Sequence, residues 1–203
     1  MMGVPISKII LASNSNNILT DFVKTGDYDI RYRNLIKTSS PAMDILKSSN
    51  IERLLYHLYG GKRTKGLMDL FESDKYFKLS KQELNKIQDI FEAGFATDDE
   101  VESYIKYSYL DDNYVIDPHT ATAFVVKTNL KIDGNVIIAS TAEWTKFTPT
   151  IAKAFGKEDN LKDLSDFLNS KLSPHISKLE NMPVIHTDVI EIDEIQGRVL
   201  DFV

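Results

Sequence analysis

Residues 7–26 read SKIILASNSNNILTDFVKTG, and two periods meet inside them. Ile9, Ile10, Leu11 and Ala12 form a short apolar run of the kind a buried strand carries, predicting a strand over 7–13. Asn14, Ser15 and Asn16 then supply turn chemistry. From 17 to 24 the spacing turns helical, with Gly26 as the stop. A strand that feeds a helix through a short polar turn is the repeating unit of an α/β protein. Residues 135–139, NVIIA, predict a second short strand, followed by a helix from about 141 to 155 that ends at Gly156. Both strands are apolar, brief and followed by helices, as buried parallel strands are. Residues 183–190, PVIHTDVI, read as a further strand, and the tail from 191 as a terminal helix.

Between these strands the chain is mostly helical. Ser40 and Pro41 suit an N-cap and a first helical position. Ile51, Leu54, Leu55 and Leu58 fall on one helical face, behind a Ser49-to-Glu52 capping box, and Gly60-Gly61 ends that helix. A second box, Ser80 with Glu83, opens a helix with Leu84, Ile87, Ile90 and Phe91 on one side. A third, Thr97 with Glu100, precedes Val101, Tyr104 and Ile105. The expectation is therefore helix over most of 64–109, interrupted at Gly94. Another helix is expected over 115–127, with Asp117 as cap, and one or two more over 160–181, broken near Pro174.

The bulk numbers exclude several classes of function. Of 203 residues, 42% are apolar and 27% charged, enough for one good core. Thirty acidic against 24 basic residues leave a net charge of -6, which argues against a nucleic-acid partner. Without cysteine there is no disulfide and no thiolate metal site. No apolar run approaches the ~20 residues of a membrane helix, and the start lacks a signal-peptide pattern, so the chain reads as cytoplasmic. His57, His119, His175 and His186 show no metal-ligand spacing. GGKRTKG at 60–66 is not a phosphate-binding loop, and neither GxGxxG nor G-x-S-x-G occurs.

Three stretches can carry chemistry, each beside a structural reading. In SSPAMDILKSSNIERLL (39–55), Ser39, Ser40 and Asn50 cap helices, or they place donors at helix N-termini where an anion is favoured and Arg53 adds a bidentate grip. In VIDPHTATAF (115–124), Asp117 and Pro118 start a helix, while His119 and Thr120 are left without an explanation. In VIIASTAEWTKF (136–147), Ser140 to Glu143 has the form of a capping box. The Ser140 and Thr141 hydroxyls would also stand where a strand ends, the usual ligand crevice of an open α/β sheet.

At these stretches the chain resembles the C-terminal half of bacterial-type threonine synthase. SPAMDIL with SNIERLL, the intact DPHTA at 117–121, STAEWTKF at 140–147 and the opening ISKIILASNSNNILTDFVKTGDY follow the family's order. The resemblance covers most of residues 3 to 155. It implies part of the large domain of a fold type II enzyme that uses pyridoxal 5'-phosphate (PLP). Short parallel strands with flanking helices would fill 1–155, with a helical insertion at about 64–110 and a C-terminal helical segment over 156–203. It implies conversion of O-phosphohomoserine and water to threonine and phosphate. Thr141 would hydrogen-bond the cofactor's pyridine nitrogen beside Ser140. Ser40, Asn50, Arg53 and His119 would line the substrate's side of the site.

Some of the family's pattern is absent. Ala42 stands where a serine is common, and Glu143-Trp144 where a small residue or histidine precedes proline. The Ser-Phe-Lys-Asp segment with the cofactor-bearing lysine is missing, as is the Gly-Asn-Phe-Gly phosphate loop. Lys162-Asp163 sits in a plain amphipathic helix, and Gly134-Asn135-Val136 is a chance echo. The expectation is a chain with no covalent lysine of its own, inactive alone, whose partner is an N-terminal half. The rival is a non-catalytic module, derived from such an enzyme, that binds an anion or a partner. It would hide its apolar surface, whereas a part of a larger enzyme would expose it.

Overall fold

A computed structural model describes residues 5–140, 142–179, 182–185 and 187–201. The chain falls into two compact units, Met1–Asn169 and Ser170–Val203.

In the first unit the opening stretch does what its periods predict. β1 (Ile9–Ser13) leads through an Asn-rich turn into α1 (Ile18–Thr25). Gly26 closes that helix at φ 79°, a left-handed geometry that glycine adopts without strain. The strand that pairs with β1 is not the predicted 135–139. It is β4 (Phe91–Phe95), parallel, with Ile9 opposite Phe91 and Ser13 opposite Phe95. The helical spacing of Ile87, Ile90 and Phe91 had suggested continuing helix there. α3 (Lys81–Ile90) stops instead, because the segment's backbone groups gain ladder partners on β1. Residues 135–140 form no strand, and Ile137 is 98% exposed. An apolar run needs a neighbouring strand to pair with, and the described residues provide none there.

A second pair, β2 (Asp27–Asp29) and β3 (Tyr76–Lys78), is antiparallel. It carries the aromatic centre of the core. Tyr28 stacks on Phe77 at 5.3 Å and meets Phe71 edge-on at 5.1 Å. The Tyr28 hydroxyl donates to the Leu46 carbonyl and accepts from Ser48 N–H, fixing the chain's entry into α2 (Asn50–Asp74). Burial pushes its phenol up from the usual range. α2 breaks at Gly60 (φ 75°), as its sequence predicts, but Ser49 makes no side-chain cap there. The boxes at Ser80 and Thr97 form in full, the latter opening α4 (Asp98–Asp112).

α5 (Pro118–Asn129) packs on both strands of the parallel pair and on α4. The box expected at Ser140 does not form. A 3-10 turn spans Trp144–Lys146, and α6 (Thr148–Phe155) begins only at the next proline. α7 (Leu161–Phe167) follows, with Leu164 and Leu168 buried, and Tyr109, Phe155 and Phe167 pack ring to ring across α4, α6 and α7. This contact carries the first unit beyond residue 155, where the sequence places a boundary. The second unit holds α8 (Pro174–Leu179), a 3-10 turn at Ile192–Glu194 and α9 (Ile195–Leu200). Residues 183–185 and 187–190 form no strand. Among the described residues no helix is long and apolar enough to cross a membrane.

Candidate functional site

Past the carboxyl end of β1, Asn14 reaches the loop 36–44, the loop reaches the start of α5 through Ala42 and His119, and α5 reaches Ser140 through Thr120. Ser13 ends β1 with its carbonyl accepting from Ala96 N–H, and Thr20 Oγ1 donates to the Gly94 carbonyl at 2.8 Å. The strand ends are therefore fixed before any ligand arrives.

Beyond Ser13 the turn asparagines reach outward. Asn14 Oδ1 accepts from Asn16 N–H, the Asx geometry their order predicts. Asn14 Nδ2 lies within hydrogen-bond distance of Thr38 Oγ1, Ser40 Oγ and Asp44 Oδ1. Asn16 donates to the Ile36 carbonyl and to Asp44, and accepts from Ile36 N–H. The Asp44 carboxylate also receives Thr38 N–H and the Thr38 hydroxyl. The loop's geometry is set by this knot, which the sequence reading did not foresee. Its only signal was the polar turn after β1, since each long contact joins residues about twenty to thirty apart.

The loop is gripped from α4 and α6 as well. Ser39 N–H donates to both Asp98 oxygens at 3.1 Å, its hydroxyl donates to Glu102 at 3.0 Å, and its carbonyl accepts from Thr150. Its donors are thus committed to carboxylates, which removes Ser39 from any anion site. Ser40 is buried and held beside Asn14, with no cap on the 3-10 turn Pro41–Met43. Asn50 and Arg53 stand exposed on the first turn of α2 and share no bond with this cluster.

At α5, Asp117 caps as its position predicts. Its Oδ1 accepts from the backbone N–H groups of His119 and Thr120, and the Thr120 hydroxyl donates to its Oδ2. Burial opposes ionisation of Asp117, but the hydrogen bonds from His119 and Thr120 outweigh it and hold the carboxyl below its usual range. His119 Nδ1 lies 3.1 Å from Asp117 Oδ1, and its Nε2 accepts from Ala42 N–H at 3.1 Å. The ring packs against Phe147 at 4.5 Å. So α5, the 36–44 loop and the start of α6 meet at one imidazole.

Ser140 lies on the other side of Thr120, whose hydroxyl is 3.5 Å from Ser140 Oγ. The two border a cleft of about 290 Å³ lined also by Tyr104, Ile116, Phe124 and Ile138. Tyr104 and Phe124 stack at 5.1 Å along one side. Thr141, the residue expected to meet the cofactor ring nitrogen, lies outside the described residues. The structure thus joins Ser40 to His119 through the loop, and Ser140 to Thr120. It does not bring Asn50 or Arg53 into contact with either pair. Among the described residues no group of three histidine, aspartate or glutamate side chains could hold a metal ion.

No family model matches the chain. It is 40% identical over 195 residues to human threonine synthase-like 1, covering 94% of this chain and 25% of that protein. It is 36% identical over 168 residues to threonine synthase of Corynebacterium glutamicum, covering 77% of this chain and 34% of that enzyme. Among solved structures it is similar to PLP-bound threonine synthase from Brucella melitensis. There the TM-score is 0.71 and the identity 29%, over 87% of this chain and 42% of that one. The chain therefore spans between 25% and 38% of the length of the curated relatives it matches.

Proposed function

The chain belongs to the threonine synthase family and has its fold type II architecture, and on that premise we propose that it forms one wall of a PLP site in an enzyme that converts O-phosphohomoserine and water to threonine and phosphate. The observation that carries this reading is the chain of contacts that runs from Asn14, just past the carboxyl end of β1, through the SPAMD loop to DPHT and on to Ser140, leading away from a parallel strand end of the kind where ligands of α/β sheets bind.

The residues present suit one part of that cofactor. The cleft beside Ser140 and Thr120 offers stacked aromatic and aliphatic walls for a planar ring, and hydroxyls for its polar edge. Ser140 and Thr141 are the residues we assign to the ring. A neutral hydroxyl at its nitrogen, in place of a carboxylate, leaves that nitrogen largely unprotonated. When bound, the cofactor supplies the electron sink and the protein supplies orientation. The described residues lining the cleft include neither a lysine for covalent attachment nor a glycine-rich turn for the phosphate. We assign both to another part of the enzyme, an N-terminal half that this chain would meet.

Exposed apolar side chains support that assignment. Leu110, Tyr114, Val136 and Ile137 all lie open, as a surface made to be covered would. Among them only Tyr114 lines the cleft itself. Ser40 is assigned to the substrate side of the wall through the loop it anchors, while Asn50 and Arg53 would need the substrate to extend to the start of α2. A second reading, a non-catalytic binding module, is favoured by the higher identity to a protein named threonine synthase-like than to those named threonine synthase.

The deciding experiment takes the purified chain with PLP, before and after borohydride, followed by visible absorption and intact mass. It is then repeated with an N-terminal threonine synthase half and O-phosphohomoserine, following phosphate release. No covalent adduct on the chain alone, with phosphate release from the pair, is the expected result. A stoichiometric adduct on one lysine of this chain, or a well-associated pair that releases no phosphate, would overturn it.

A further inference from the structure

We infer that His119 is a positioning residue that holds the 36–44 loop against α5 through one fixed tautomer, rather than a group that exchanges protons with a substrate. This deepens the proposed function, and only its catalytic consequence rests on that reading.

The tautomer follows from the partners. A backbone N–H can only donate, so Nε2, 3.1 Å from Ala42 N, must be the unprotonated acceptor. The neutral ring then carries its hydrogen on Nδ1, which faces an Asp117 oxygen at 3.1 Å. That oxygen belongs to a carboxylate already fixed by the backbone of α5's first turn. Turning the ring over would put carbon at both contacts, and Phe147 packs on its face. His119 is also buried. With both nitrogens engaged, no lone pair remains for a substrate proton or a metal.

What the ring does is join two pieces. The loop side is already tied to β1 by Asn14, Asn16 and Asp44, and to α4 by Ser39. His119 supplies the tie to α5, the helix that also carries Thr120 toward Ser140. The distance between the Ser40 side of the site and the Ser140 side is thereby set by the imidazole. Sequence spacing could not show this, because Ala42 and His119 are 77 residues apart.

The test is nitrogen NMR on the intact chain. A protonated Nδ1 and an unprotonated, hydrogen-bonded Nε2 are expected, and a ring protonated at Nε2 would overturn the inference without any variant. Amide exchange at Ala42 is the second readout. His119→Ala should speed it about tenfold while the amides of the β1–β4 pair keep their protection, as loss of one local hydrogen bond requires. His119→Gln, whose amide oxygen can occupy the Nε2 position, should restore most of the protection. Unchanged exchange at Ala42 in a folded His119→Ala chain would overturn the inference, as would failure of His119→Gln to restore it. If His119→Ala does not fold, the tautomer of the unaltered chain decides. In the reconstituted enzyme, His119→Gln should keep most of the turnover that His119→Ala loses. A correct tautomer and exchange pattern in a pair that shows no activity would reject the enzymatic reading and leave the positioning role standing.

Discussion

A Cβ atom built on Gly94 would lie 2.9 Å from Cγ1 of Val126, so β4 and α5 approach to a distance that only glycine allows. This approach seats the second half of α5 against β4. Gly94→Ala should therefore destabilise the chain by about 1–3 kcal/mol, the usual effect of overpacking a well-filled contact. Urea unfolding would read it as a lower midpoint at unchanged slope. A midpoint within error of the parent would mean that α5 shifts freely against the sheet.

The Asp44 carboxylate receives Asn14, Asn16, the Thr38 hydroxyl and Thr38 N–H. Asp44→Ala should leave these donors without their acceptor and cost about 1–3 kcal/mol, given partial access to water. Hydrogen exchange at Ile36 and Thr38 should rise with it. A global loss of protection, reaching the β2–β3 pair as strongly as the loop, would contradict a local role for the knot.

What was legible in the sequence was local. The caps at Ser80, Thr97 and Asp117 all form, because each joins residues three or fewer apart. The same letters at Ser49 and Ser140 give no side-chain cap, since Ser49 already has helical backbone angles and the chain near Ser140 delays its helix to Thr148. β4 was hidden because Ile87, Ile90 and Phe91 keep a helical period, while its strand exists only through β1, about eighty residues away. The site divides in the same way. Asp117 could be read from its neighbours, whereas the roles of Asn14, Asp44 and Ala42 depend on contacts that no spacing encodes. His119 is different again: the periods leave it without a role, and only the family resemblance singles it out.

Glu83 closes the capping box on Ser80 and pairs with Arg63 through both oxygens. The Arg63 guanidinium, helped by Ser80 and opposed by burial, holds its carboxyl from the ordinary 4.5 down to about 2. The sign follows from that depression. Its contribution is fully present above the unfolded value and is lost as pH falls from about 4.5 to about 2. Glu83→Gln should flatten the stability profile in that window and lower stability at neutral pH. Equal acid slopes for the two proteins would show that Glu83 does not drive this part of the profile.

Asp117 separates capping from charge more cleanly. Its Oδ1 serves two backbone N–H groups and the His119 ring, and its Oδ2 receives the Thr120 hydroxyl. Asparagine can keep Oδ1 in place, and the Thr120 hydroxyl can turn to accept from the new amide. Alanine can do neither. Asp117→Ala should therefore cost about 1–2 kcal/mol from the lost cap alone, and Asp117→Asn clearly less. The pH dependence should separate the two roles again. The folded carboxyl is held below its usual value, so its stabilisation is present above the unfolded value and disappears as pH falls through the folded one. Both variants should lack that acid-side loss, although only one lacks the cap. Thermal unfolding between pH 3 and 7 on the three proteins tests both points. If Asp117→Asn were as unstable as Asp117→Ala at neutral pH, the negative charge, and not the geometry of the cap, would hold the start of α5 in place.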